Sequence, residues 1–161
     1  QFYGNESAKK LKLCNLRASR NTFEYKLIET AFVTTSDGKL YNPGGLGDNY
    51  NLKQIVKIEK CYNVQVFDRF KGELQRNLRK YPTKSIWDIV KILFNGTRDT
   101  NPTNILKSDY GLDNRFSREG MYGTGIYFAD NSNYSKTYAY QDNVSNTSQM
   151  FFCFVIVGES I

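Results

Sequence analysis

Apolar and polar positions along the chain fall into short alternating runs separated by a few stretches of helical spacing. From Phe23 to Ile28 (Phe-Glu-Tyr-Lys-Leu-Ile) the pattern predicts a β-strand, running on to Thr35. Ser36-Asp37-Gly38-Lys39 reads as a turn. The Asn- and Gly-rich stretch 42–49 reads as a loop; its glycines do not sit between a strand and a helix, so no phosphate-cradling loop is expected there. Gln54 to Tyr62 alternates again and predicts a second strand. The period then changes. Val66, Phe67, Phe70, Leu74 and Leu78 recur every three or four residues, with Asp68, Arg69, Lys71, Glu73 and Arg76 between them, which predicts an amphipathic helix. Asn63 suits its N-cap, and Tyr81-Pro82 ends it.

Beyond the helix, Trp87 to Phe94 predicts a strand ending at Asn95-Gly96-Thr97, and Thr103 to Lys107 a short helix begun after Pro102. Residues 109–123 read as loop. Gly125 to Ala129 predicts a short buried strand, and Ser132 to Tyr140 a helix capped by Asn131 or Ser132. Gln149 to Gly158 is the most apolar segment and is expected to be a central strand. The pattern as a whole is α+β, strand-rich with a few helices against the sheet. The first 22 residues, polar and weakly patterned, read as an N-terminal arm, and 23–161 as one domain. No internal repeat interrupts this reading.

Composition narrows the chemistry. The 161 residues contain no histidine, so Ser-His-Asp and Cys-His catalysis and imidazole metal sites are excluded. Cys14, Cys61 and Cys153 are far apart and form no CxxC, which suggests neither a disulfide framework nor a zinc site. No metal is expected. The net charge of +6 suits an anionic ligand, but no basic run is dense enough for a nucleic-acid stripe; Lys71 to Lys84 comes nearest. Nucleic acid is therefore not the expected partner. No apolar run reaches membrane-spanning length, so no membrane association is expected. The 12 tyrosines need partners for their hydroxyls and should line surfaces or pockets. The absence of a starting Met reads as a fragment or a processed piece.

Three segments carry a resemblance. Leu93 to Thr97 is LFNGT, Gly120 to Asp130 is GMYGTGIYFAD, and Asn133 to Tyr140 is NYSKTYAY. In this order and spacing they resemble the catalytic domain of the poly(ADP-ribose) polymerase (PARP) family, whose patterns are LFHGT, G-x-x-G-x-GIYFA, and a Ser and a Tyr at fixed distances from the Tyr of the second segment. Ile55 to Phe70 resembles the strand and helix that open that fold, and Tyr110 to Ser117 (YGLDNRFS) resembles the loop covering the donor in its mono-ADP-ribosylating branch. The resemblance spans about Phe23 to Val157.

It implies an ADP-ribosyltransferase fold, mainly antiparallel sheets with a few flanking helices, with NAD⁺ as co-substrate. It places Asn95, Gly96, Thr97, Arg115, Gly125, Tyr127, Phe128, Ser135 and Tyr138 around the donor. Gly96 lets backbone approach the carboxamide closely, Ser135 adds a hydroxyl to it, and Tyr127 and Tyr138 form the stack for the nicotinamide ring. Asn95 stands where the family has a His that contacts a ribose hydroxyl. The family's third signature residue lies on a strand after the one ending near Val157, so the catalytic carboxylate has no assigned position here. The expected function is transfer of ADP-ribose from NAD⁺ to protein side chains, mono- rather than poly-. The alternative is an inactive module of the same fold, serving in binding or assembly. The expected partner is a protein, an acceptor or one covering the C-terminal sheet edge. The expected setting is intracellular: cytoplasm, nucleus, or a cytoskeletal or organelle assembly.

Overall fold

The computed structural model describes residues 11–15, 22–35 and 55–158. The turn expected at 36–39 and the loop expected at 42–49 lie outside the described residues. Strand β1 (Leu11–Asn15) falls within the expected arm and pairs antiparallel with β2 (Glu59–Asn63), Leu11 opposite Asn63 and Asn15 opposite Glu59.

Between them in sequence lies helix α1 (Phe23–Thr34), which corrects the strand expected at 23–35. The alternation over Phe23–Ile28 is real but short. Tyr25, Ile28 and Phe32 are equally compatible with one helical face, and Tyr25 is buried while Phe23 and Leu27 are exposed. The Thr22 hydroxyl accepts the Tyr25 N–H at 3.3 Å, satisfying one of the four unpaired donors of the first turn. At the other end the Thr35 hydroxyl donates to Ala31 O at 2.8 Å.

Asn63 is the N-cap of α2 (Val64–Lys80), as its sequence position predicts: its Oδ1 accepts from the N–H groups of Gln65 and Val66 at 3.1 and 3.3 Å. Its Nδ2 also donates to Leu106 O and Ser108 O, at 3.2 and 3.1 Å. One asparagine thus starts the helix and ties it to a loop more than forty residues away. The helix ends at Tyr81, before Pro82, as expected.

The strand expected at Trp87–Phe94 divides. Asp88 accepts from Ser85 N–H and Ser85 O–H, both at 2.8 Å, and this cap turns Ile86–Ile89 into a short helix, α3, before β3 (Val90–Asn95) begins. β3 pairs antiparallel with β8 (Phe151–Ile156), Val90 opposite Ile156 and Asn95 opposite Phe151. β8 was expected to be central. Among the described residues its only strand partner is β3, and Phe154 on it is 60% exposed.

The remaining elements are α4 (Pro102–Leu106), a 3₁₀ turn at Asn114–Phe116, the hairpin β4 (Arg118–Gly120) and β5 (Gly123–Gly125), α5 (Ser132–Lys136), and the hairpin β6 (Tyr140–Asp142) and β7 (Thr147–Gln149). The strand expected at Gly125–Ala129 is reduced to a bridge between Ala129 and Phe94. The helix expected to reach Tyr140 stops at Lys136, because Tyr140 is taken into β6. Among the described residues the four two-stranded ladders are all antiparallel, which with the helices makes the fold α+β.

Tyr25, Ile89, Val90, Phe94, Ile105 and Ala139 form the buried apolar core. Phe94 packs against Phe32 and Phe152, ring centroids 6.3 and 4.7 Å apart. Among the described residues no helix is long and apolar enough to cross a membrane.

Candidate functional site

The end of β3 is held from two sides by backbone. On one side Phe94 and Ala129 exchange hydrogen bonds, N–H to O, at 2.7 and 2.9 Å. Asn95 extends this contact: its Nδ2 donates to Tyr127 O at 2.8 Å. On the other side Gly96 lies under the last turn of α5. A Cβ there would fall 2.4 Å from the carbonyl carbon and oxygen of Tyr138 and 2.5 Å from Ser135 O, so no other side chain fits. Arg98 N–H then donates to Tyr138 O at 2.8 Å.

These contacts bring Asn95, Gly96, Tyr127, Ser135 and Tyr138 together, although they span more than forty residues of chain. Glycine at 96 has a reason besides the expected one: its missing side chain makes room for the backbone at Ser135 and Tyr138.

Asn95 is 4% exposed, and its Oδ1 has no hydrogen-bond partner. Donation by Nδ2 to a carbonyl fixes which end of the amide is oxygen. The strand therefore ends in a buried, unsatisfied acceptor. Such a group costs on the order of 1–3 kcal/mol when unpaired and asks for an N–H or O–H donor.

The other expected residues sit as follows. Thr97 is buried with its hydroxyl donating to Thr100 O at 2.6 Å, so it shapes the turn after Gly96. Ser135 is buried in α5, whose N-cap is Asn131. The Tyr127 hydroxyl donates to Gly123 O and accepts from Tyr122 N–H at 3.2 Å, and its ring lies against Gly120. Tyr127 thus fastens the β4–β5 hairpin to the site. The turn there uses Gly123 at φ 94, a left-handed conformation that favours glycine. Gly125 does not need it, and a Cβ at Gly125 would meet nothing within 4 Å. Phe128 is half-buried.

The rings of Tyr127 and Tyr138 do not stack on one another. Tyr138 instead meets Tyr134 edge-on, centroids 5.2 Å apart. The Tyr134 phenol is held above its ordinary pKa, chiefly by its hydrogen bond with Tyr138 and by the Tyr138 charge, then by burial and by Tyr122 and Tyr127. Tyr134 and Tyr138 thus lie against one another at the site. Sequence reasoning missed Tyr134 as a site residue; its four-residue spacing from Tyr138 on a helix was the available signal.

Arg115 lies in the 109–117 loop with its guanidinium committed to Asp113: Nε donates to both carboxylate oxygens at 2.9 and 3.1 Å. The loop is docked on α2. Arg69 donates to Asp109 O and its guanidinium covers the Tyr110 ring at 4.0 Å, while Gly111, at φ 66, packs against Val66.

Asp113 is held below the usual carboxylate range, first by hydrogen bonds from the Arg115 side chain. A depressed carboxyl contributes above its unfolded pKa and loses that contribution as pH falls through its folded value, so the Asp113–Arg115 tie weakens below about pH 4. At pH 7, Asp113→Asn is expected to speed amide exchange across 109–117, and the difference from wild type should shrink as pH is lowered through that range. Equal exchange at pH 7 would show that the pair does not order the loop.

Among the described residues no group of three or more His, Cys, Asp or Glu could hold a metal ion. Burial, and then the Cys61 charge, pushes the Cys153 thiol up to about 12, which keeps it from acting as a thiolate nucleophile at neutral pH.

The family profile described as poly(ADP-ribose) polymerase catalytic domain matches residues 22–161. A probable poly(ADP-ribose) polymerase of Dictyostelium discoideum is 36% identical over 111 residues, 68% of this chain and 33% of that protein. A poly(ADP-ribose) polymerase-like protein of Invertebrate iridescent virus 6 is 32% identical over 100 residues, 59% of this chain and 53% of that protein. Poly(ADP-ribose) polymerase 2-B of Oryza sativa subsp. japonica is 26% identical over 138 residues, 84% of this chain and 20% of that protein. The chain thus spans about a third, a half and a fifth of these relatives, respectively.

Proposed function

This chain belongs to the poly(ADP-ribose) polymerase catalytic-domain family, and from that membership we propose that it binds NAD⁺ where β3 meets α5 and transfers single ADP-ribose units to protein side chains. The observation that carries this reading is the unpaired Asn95 Oδ1 beside Gly96. A ribose hydroxyl has a proton to give, and a buried acceptor without a partner is the complement it needs. Family resemblance supports the remaining roles. The Gly96 backbone and the Ser135 hydroxyl hold the carboxamide, and Tyr127 and Tyr138 flank the nicotinamide ring. Resemblance of the 110–117 loop to the mono-transferring branch supports transfer of single units.

The donor fits these residues with one difference. A His at position 95 would reach further with its ring N–H, whereas the shorter Asn95 amide has one of its two N–H groups engaged by Tyr127 O. That observation favours a second reading, in which NAD⁺ binding is weak and the domain serves as a binding module for a protein partner. The exposed Phe154 on β8 and Trp87 on α3 suit such a partner.

Calorimetric titration with NAD⁺ separates the two, together with incubation with labelled NAD⁺ and a protein acceptor. Saturable binding and labelled acceptor support the transferase. Asn95→His is expected to tighten NAD⁺ by about two- to tenfold, the equivalent of one recovered hydrogen bond. No saturable binding at millimolar NAD⁺, in wild type and Asn95→His alike, would overturn the donor-site reading in favour of the module.

A further inference from the structure

We infer that Arg98 is a positioning residue that sets the plane of the Tyr138 ring, and through it the affinity for the nicotinamide half of the donor; this rests on the donor-site reading above.

Arg98 approaches Tyr138 twice. Its N–H donates to Tyr138 O at 2.8 Å, and its guanidinium carbon lies 4.4 Å from the centre of the Tyr138 ring. A planar cation at that distance is attracted by the ring face. Gly96, two residues earlier, lies directly under the Tyr138 carbonyl. One short segment therefore fixes both the backbone and the ring of Tyr138.

The backbone of Arg98 makes the assignment specific. Its φ is 53, in the left-handed region that L-residues with side chains avoid. Glycine or asparagine would make the same turn with less strain. Arginine at a turn that disfavours it needs a gain from its side chain. Among the described residues that side chain forms no ion pair; its contact is the Tyr138 ring. Arg98 and Tyr138 together line an open cleft of about 740 Å³, with Asp99, Thr137 and Gln141 among its other walls. The guanidinium over the ring and Tyr134 edge-on to it, centroids 5.2 Å apart, between them fix the plane of Tyr138.

The test uses Arg98→Gly, which keeps the left-handed turn and removes the guanidinium, and Arg98→Lys, which keeps a cation. Binding of NAD⁺, free nicotinamide and ADP-ribose is measured for each by calorimetry. Arg98→Gly is expected to weaken nicotinamide and NAD⁺ by about two- to fivefold while leaving ADP-ribose unchanged, with Arg98→Lys restoring part of the loss. A merely structural role would move all three ligands together, and that result overturns the inference. So does nicotinamide affinity unchanged in Arg98→Gly while wild type binds NAD⁺; the donor-site reading then survives alone. Wild type that binds none of the three overturns both.

Discussion

Gly96→Ala is expected to remove NAD⁺ binding and to lower Tm by several degrees. The added methyl would sit 2.4 Å from Tyr138 C and O and 2.5 Å from Ser135 O, against ordinary contacts of 3.4 Å or more, so something must move by about 1 Å. All the opposing atoms are backbone and cannot rotate aside. β3 is pinned by its pairing with β8 and by the Phe94–Ala129 bonds, so the end of α5 must retreat. That retreat breaks the hydrogen bond from Arg98 N–H to Tyr138 O and displaces Ser135 and Tyr138 together. Overpacking of this kind costs about 1–3 kcal/mol, and for a domain of this size each kcal/mol lowers Tm by about 2–4 °C. Gly125→Ala is the matched control for stability, since a Cβ there meets nothing within 4 Å. Thermal melts of both variants, with NAD⁺ titration of Gly96→Ala against wild type, decide the matter. Gly96→Ala that melts like Gly125→Ala and binds like wild type would refute the packing of α5 on Gly96.

Asn95→Asp is expected to destabilise the fold strongly at pH 7 and far less in mild acid. The substitution is isosteric. It replaces the Nδ2 donor with a carboxylate oxygen facing Tyr127 O, in a site 4% exposed. An ionised, unpaired carboxylate buried there costs about 3–5 kcal/mol. Desolvation and the opposing carbonyl therefore push its folded pKa above the unfolded value near 4. With a raised folded pKa, the protonated form is tolerated below the unfolded pKa. The penalty then grows as pH rises towards the folded value. Unfolding of wild type and Asn95→Asp, compared at pH 4.5 and pH 7.5, checks this. The expected gap is wide at pH 7.5 and narrows at pH 4.5; a gap independent of pH would mean that the carboxylate finds a donor or reaches water.

Where the structure departs from the sequence reading, local chemistry or pairing had overridden a short pattern. Six residues of alternation at Phe23–Ile28 could not distinguish a strand from a helix with Tyr25, Ile28 and Phe32 on one face, and the Thr22 cap decided it. Ser85 and Asp88 stand three apart as a capping pair, visible in the sequence, yet the run from Trp87 to Phe94, which contains Asp88, suggested a strand from its first residue. The helix at Val64–Lys80 was legible because its apolar spacing holds over several turns and begins at a strong N-cap.

The site was legible in a different way. Order and spacing of the LFNGT, GIYFAD and NYSKTYAY segments were enough to gather Asn95, Gly96, Tyr127, Ser135 and Tyr138 as candidates. The sequence by itself determined the family, the α+β class, the lack of histidine in these 161 residues and the identity of the residue at position 95. Only tertiary structure decided what those residues do to one another: that Gly96 makes room for the backbone of α5, that the Asn95 amide gives its donor to Tyr127 and keeps a bare acceptor, and that Arg98 lies on the Tyr138 ring. Each of these depends on two segments distant in sequence meeting within hydrogen-bond or van der Waals range. Spacing along a chain reports periodicity within one element, but not the distance between two.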